Sequence, residues 1–134
     1  MMADDTQIAR LSRRQLGLCA LTGAAFWFAA ALLCGFLGPR GAYEGVNRII
    51  LYLLVILGTV PVVLLVGRIA GLARSQLGLG LAVGTATATL FDGLALAWWP
   101  ALYGGPPYVA GAGAVILWGA GVGLVLGFWM ARQR

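Results

Sequence analysis

The stretch Leu77–Pro100, LGLGLAVGTATATLFDGLALAWWP, decides the fold. Its length and apolarity suit a lipid bilayer, which takes about 20 mostly apolar residues at about 1.5 Å rise each. Only Asp92 breaks that character, and Pro100 ends it. Outward from it, three more runs have the same form: Leu16–Leu37, Ile49–Val66 and Val109–Met130, beside Leu77–Trp98 itself. Each is closed by turn or charged residues: Gly38-Pro39-Arg40-Gly41, Gly67-Arg68, Pro100, and Ala131-Arg132-Gln133-Arg134. The reading is an all-α polytopic membrane protein. Four transmembrane helices form a compact bundle in one domain over residues 1–134, preceded by a cytoplasmic N-terminal segment, residues 1–15.

Composition agrees. Of 134 residues, 61% are apolar and 10% charged, with mean hydropathy +0.93. Soluble domains are nearer 45–50% apolar and about 25% charged, so a water-soluble fold of this composition would have little to place on its surface. All nine basic residues are arginine, a bias that fits a GC-rich bacterial genome. The pI near 10.0 does not point to nucleic acid, because the arginines stand in small groups beside apolar runs, where they act as topology signals. Arg10, Arg13, Arg14, Arg68, Arg74, Arg132 and Arg134 fall on one side, and only Arg40 and Arg48 on the other. The excess places both termini in the cytoplasm, in the inner cell membrane. The first run follows three arginines, as a cleaved signal would, but its apolar core exceeds the usual 7–15 residues, and Leu33 stands where a lipoprotein site needs a small residue before Cys34. It reads as a retained span.

The chemistry-bearing residues are few. Cys19 and Cys34 share the first helix at a separation of roughly 22 Å, too far to bridge. They lack the closely spaced pairs that quinone-linked thiol oxidases use. Histidine is absent, and there is no second carboxylate within the spans, no phosphate-binding glycine loop followed by lysine, and no nucleophile elbow. No cofactor and no metal site is expected, and the chain does not read as an enzyme.

The glycines have a packing role. Gly119, Gly123 and Gly127 recur at i+4 and make a smooth strip on the fourth helix. Gly80, Gly84 and Ala88 make another on the third, whose next member is Asp92. Asp92 therefore points toward protein, about 9 Å below the outer helix end. Thr85 and Thr89 lie nearby on its own helix, and Arg48, Tyr52 and Thr59 share one side of the second. A polar cluster of Asp92, Arg48, Tyr52, Thr59, Thr85 and Thr89 is expected. As a clasp, Asp92 accepts hydrogen bonds from Tyr52 or Arg48 and fixes helix pairing; as a site, it takes and releases a proton or cation. The clasp is the preferred reading. Pro61 predicts a kink in the second helix. Trp98, Trp99, Tyr103 and Tyr108 in the outer loop read as an interfacial aromatic belt.

The segment LFDGLALAWWPALY, Leu90–Tyr103, followed by LWGAGVGL, Leu117–Leu124, resembles a group of small bacterial four-helix integral membrane proteins known only as a domain of unknown function. The likeness runs from about Thr85 to Gly127, and in the first half rests on hydropathy. A Pro-Gly often precedes the aspartate segment in that group, where this chain has Thr85-Ala86-Thr87. The resemblance implies four spans with a recurring Asp92 and Pro100, and no activity. Small multidrug exporters are similar in length but place their essential carboxylate in the first helix, which here has none. Two function classes remain. One is a non-enzymatic accessory or structural bundle that packs in the lipid bilayer with itself, as a homo-oligomer, or with another membrane protein. The other is a minimal transporter or channel working through Asp92.

Overall fold

A computed structural model of the chain describes residues 10–132. It contains four long helices: α1, Arg13–Leu37; α2, Gly45–Ala70; α3, Leu77–Trp98; and α4, Val109–Arg132. Every expected span lies within one of them, and all four are long and apolar enough to cross a membrane. At several ends the helices run two to four residues, up to about one turn, beyond the apolar runs. Ser12 caps α1: its Oγ accepts from the Gln15 N–H at 3.1 Å, and Gln15 Oε1 accepts from the Ser12 N–H at 2.9 Å. That pair of bonds satisfies two helix-end donors. Gly71 closes α2 in the left-handed region at φ 64°, a conformation that costs glycine no Cβ clash.

Contacts between the helices give their directions. Cys19 and Gly23 of α1 meet Gly80 and Gly84 of α3, so these two run parallel. Val55 and Thr59 of α2 meet Gly119 and Gly123 of α4, a second parallel pair. Gly127 of α4 lies against Leu81 of α3, and Gly113 against Leu96, which makes that pair antiparallel. The result is an up-down-up-down bundle in which α3 packs extensively on both α1 and α4, while α2 leans chiefly on α4. Burial agrees: 28% of the apolar window of α3 is enclosed, against 11% for α2. The outer face of α2 carries Ile49, Leu53, Leu57 and Leu64, all exposed, as suits a surface solvated by lipid tails.

The glycine strips are internal contacts. A methyl on Gly23 would lie 2.7 Å from the Gly84 Cα, and one on Gly84 would lie 3.3 Å from the Cys19 carbonyl oxygen. The backbones of α1 and α3 therefore nearly touch, an approach open only to residues without a side chain. The α4 strip is split between partners, since Gly119 and Gly123 face α2 side chains while Gly127 seats Leu81 of α3. Pro61 stands inside an unbroken α2.

At the end of the bundle holding the α1 N-terminus, Gln15 Nε2 donates to the Gly71 carbonyl at 3.0 Å and to Gln76 Oε1 at 3.1 Å. Gln76 Nε2 in turn donates to the Arg10 carbonyl at 2.7 Å. These amides tie the α2–α3 loop to the start of α1.

Candidate functional site

Asp92 is positioned by the row it belongs to. Gly80, Gly84, Ala88 and Asp92 recur every four residues along α3, and the first two of them meet α1. The matching row on α1 is Cys19, Gly23, Trp27, Ala31 and Gly35. Toward the loop end of the bundle, small residues of these helices, Ala31 and Ala95, leave room for a large side chain. Tyr103 fills that space. It comes from the loop after α3, where Pro100–Tyr103 make one 3-10 turn and Gly104, at φ 99°, and Gly105, at φ 108°, reverse the chain. The turn folds back against α1, so that a methyl on Gly35 would stand 2.5 Å from the Leu102 carbonyl oxygen. Tyr103 is thereby fully enclosed, at 0% exposure, beside Ala31, Ala95 and Ala112.

The Tyr103 hydroxyl donates to Asp92 Oδ1 at 2.6 Å and accepts from Trp27 Nε1 at 3.1 Å. Asp92 is 8% exposed. The Trp27 ring stacks on Phe91, with centroids 4.9 Å apart. One chain of donors and acceptors thus runs from α1, through the loop after α3, to α3. Burial, and then the bond to Asp92, hold the Tyr103 phenol above its ordinary range, so it remains a donor at physiological pH.

The expectation that Tyr52 or Arg48 supplies the partner of Asp92 is corrected by this geometry. The side of α2 that carries Tyr52, Val55 and Thr59 faces α4, whereas Asp92 faces α1 and the loop. Tyr52 instead packs on Trp118, with ring centroids 5.4 Å apart, and its carbonyl accepts from Trp118 Nε1 at 3.1 Å. Thr59 returns its hydroxyl to the Val55 carbonyl. Thr89 does the same to Thr85, at 2.8 Å, and to Ala86, at 3.1 Å. Thr85 is half-buried and contributes that carbonyl. Arg48 is exposed at the start of α2. Asp92 and the five other residues expected around it are therefore distributed over two faces of the bundle.

Two residues escaped the sequence reading. Tyr103 was placed in an aromatic belt because it stands among Trp98, Trp99 and Tyr108, and Trp27 was not singled out. The α1 row Cys19, Gly23, Trp27, Ala31 and Gly35 was the available signal, since it matches the α3 row in spacing. A third group, Tyr43, lies between Gly38 and Gly111, where a methyl on either glycine would meet its ring. Its hydroxyl is buried without a hydrogen-bond partner among the described residues. Burial, with Cys34 as the next cause, raises its phenol above the ordinary range.

Two open grooves mark the surface, of about 380 Å³ beside Thr22, Phe26 and Ile69 and about 470 Å³ beside Arg48, Tyr52 and Trp118. Neither is lined by Asp92, Tyr103 or Trp27. Cys19 is fully buried and Cys34 half-buried, both as free thiols. Among the described residues, no three histidine, cysteine or acidic side chains gather closely enough to hold a metal ion. No known family model, curated protein or solved structure matches the chain.

Proposed function

We propose that the chain is a non-enzymatic membrane helix bundle, an accessory or structural subunit that packs with itself or with other membrane proteins. Both termini face the cytoplasm, and the protein lies in the inner membrane of a bacterial cell. The reading rests chiefly on the engagement of Asp92. The only carboxylate within the four spans is occupied by Tyr103, which also receives Trp27, and the three belong to elements that have to be held together. An intramembrane acid used for transport has to meet water or a substrate path, and it usually faces a water-filled cavity. The exposed apolar face of α2, the least enclosed helix, supports the second part of the reading, for it is the surface a membrane partner would meet.

Extraction of the full chain from its native membrane in mild detergent tests the proposal, together with reconstitution into liposomes. A stoichiometric partner or a discrete homo-oligomer, with proton and cation flux equal to that of empty vesicles, is expected. Flux that depends on the protein and disappears in Asp92→Asn would replace this reading with a minimal transporter or channel.

A further inference from the structure

The groove between α2 and α4 joins a basic residue to an apolar wall. Arg48 stands on the first turn of α2, which has no acidic residue, and the N-cap Glu44 makes no capping hydrogen bond. Arg48 thus supplies a cation at the end of the groove nearest the start of α2, close to the Glu44 carboxylate at the N-cap. Among the described residues, no hydrogen bond or ion pair engages the Arg48 guanidinium. The other arginine at this end, Arg40, is already committed: it lies 3.7 Å over the Phe36 ring and donates to the Phe36 carbonyl at 2.7 Å.

Below Arg48 the groove becomes apolar. Ile49 and Leu53 form one wall, and Trp118 forms the other. Trp118 is held by its bond to the Tyr52 carbonyl and by the tilted contact with the Tyr52 ring, so the wall is fixed before any ligand arrives. The groove, of about 470 Å³, is shallow and open, so it would cradle one side of an occupant rather than enclose it. It opens on the lipid-facing side, where Ile49 is 62% exposed and Leu53 57%. An occupant must therefore offer an anion at the helix end and a hydrocarbon chain one to two turns deeper.

We infer that this groove binds one phospholipid, its headgroup phosphate on Arg48 and an acyl chain along Ile49, Leu53 and Trp118. Guanidinium is well matched to phosphate, because its planar fork can give two parallel charge-assisted bonds. The inference rests on the membrane reading of the four helices. Failure of that reading would be visible separately, as a chain that stays in solution without detergent.

The test uses the full chain, delipidated in detergent, with retention of added lipid followed by intact-complex mass spectrometry and by the thermal midpoint. Phosphatidylglycerol, diacylglycerol with the same tails, and inorganic phosphate are the probes. Phosphatidylglycerol should be retained at one molecule per chain and raise the midpoint, while diacylglycerol and inorganic phosphate should do neither. Arg48→Gln, an exposed position, should keep the lipid-free midpoint and weaken retention about fivefold or more, the usual scale for one basic residue at a lipid surface. Arg40→Gln should retain lipid as the wild type does. Equal retention by Arg48→Gln, equal loss in both arginine variants, or equal binding of diacylglycerol would overturn the site. Stabilisation by inorganic phosphate alone would make it a free-anion site and overturn the lipid.

Discussion

An ionised aspartate costs about 2.5–3.5 kcal/mol at the centre of a membrane helix, so Asp92 has to recover that energy from its partners. Tyr103 is the partner with the most to lose. Its removal as Tyr103→Phe leaves both Asp92 Oδ1 and Trp27 Nε1 without their bonds, whereas Trp27→Phe removes only one. Tyr103→Phe and Asp92→Ala should each lower stability in detergent by about 1–3 kcal/mol, the usual cost of unpaired buried groups. Asp92→Asn keeps an acceptor oxygen and should remain closer to wild type. The double variant Asp92→Ala, Tyr103→Phe should lose clearly less than the sum, because both changes break the same bond, while Asp92→Ala with Arg48→Gln should be additive. Additivity of the first pair would show that the bond contributes nothing. The phenols provide a pH signature. Both Tyr103 and Tyr43 are raised above the ordinary value of about 10, so the folded bundle keeps protons that the unfolded chain releases. The stability these two phenols contribute is therefore fully present below about pH 10 and is lost as pH rises beyond it. The thermal midpoint of Tyr103→Phe should fall less steeply than that of the wild type between about pH 9 and pH 12.

The close backbone approach of α1 and α3 makes an asymmetric prediction. At the α1–α3 crossing, Gly23→Ala puts a methyl into the backbone of Gly84, while Gly84→Ala meets the Cys19 carbonyl at 3.3 Å. The first has to push two helices apart, and the second needs a few tenths of an ångström. Gly23→Ala should cost about 1–3 kcal/mol, the usual range for overpacking, and Gly84→Ala distinctly less. On α4, Gly123 has ordinary room, its methyl 3.7 Å from Thr59 Cγ2, so Gly123→Ala should be accepted and Gly123→Leu should not. Val125→Ala, on a residue 69% exposed, is the control. Equal tolerance of Gly23→Ala and Val125→Ala in thermal unfolding would mean that the crossing is looser than drawn. The four helices were legible because a membrane span has a length and a composition, and both are local properties. The strips on α3 and α4 were legible because i+4 spacing is also local. Their assignment to partners was not, because it depends on the order of helices around the bundle. That order put α1 beside α3 and turned Tyr52 toward α4. Tyr103 was hidden for a related reason: the loop geometry set by Pro100, Gly104 and Gly105 decides whether a tyrosine points to lipid or returns to the core.

For the molecule as a whole, the testable quantity is its orientation across the membrane. The up-down-up-down bundle places the α1 N-terminus, the loop between α2 and α3, and the α4 C-terminal end together on one side, and the other two loops on the opposite side. The arginines divide the same way. Among the described residues, Arg10, Arg13, Arg14, Arg68, Arg74 and Arg132 belong to the first side, and Arg40 and Arg48 to the second. Basic residues in short loops are retained in the cytoplasm during insertion, while acidic residues count for little. Glu44, on the poorer side, therefore leaves the balance unchanged. In the proposed orientation, the uncharged loop that carries Tyr103 crosses the bilayer before it folds back on Asp92. A reporter active only outside the cytoplasm should be active when fused after Pro106, and inactive after Arg74 or Arg134. A reporter active only inside should give the reverse pattern. Changing Arg10, Arg13 and Arg14 together to glutamine should lower the fraction correctly oriented, whereas Arg40→Gln and Arg48→Gln should not. Exterior activity at Arg134 would be incompatible with four spans and both ends inside, and would leave the Tyr103 loop and the phospholipid groove on the cytoplasmic face.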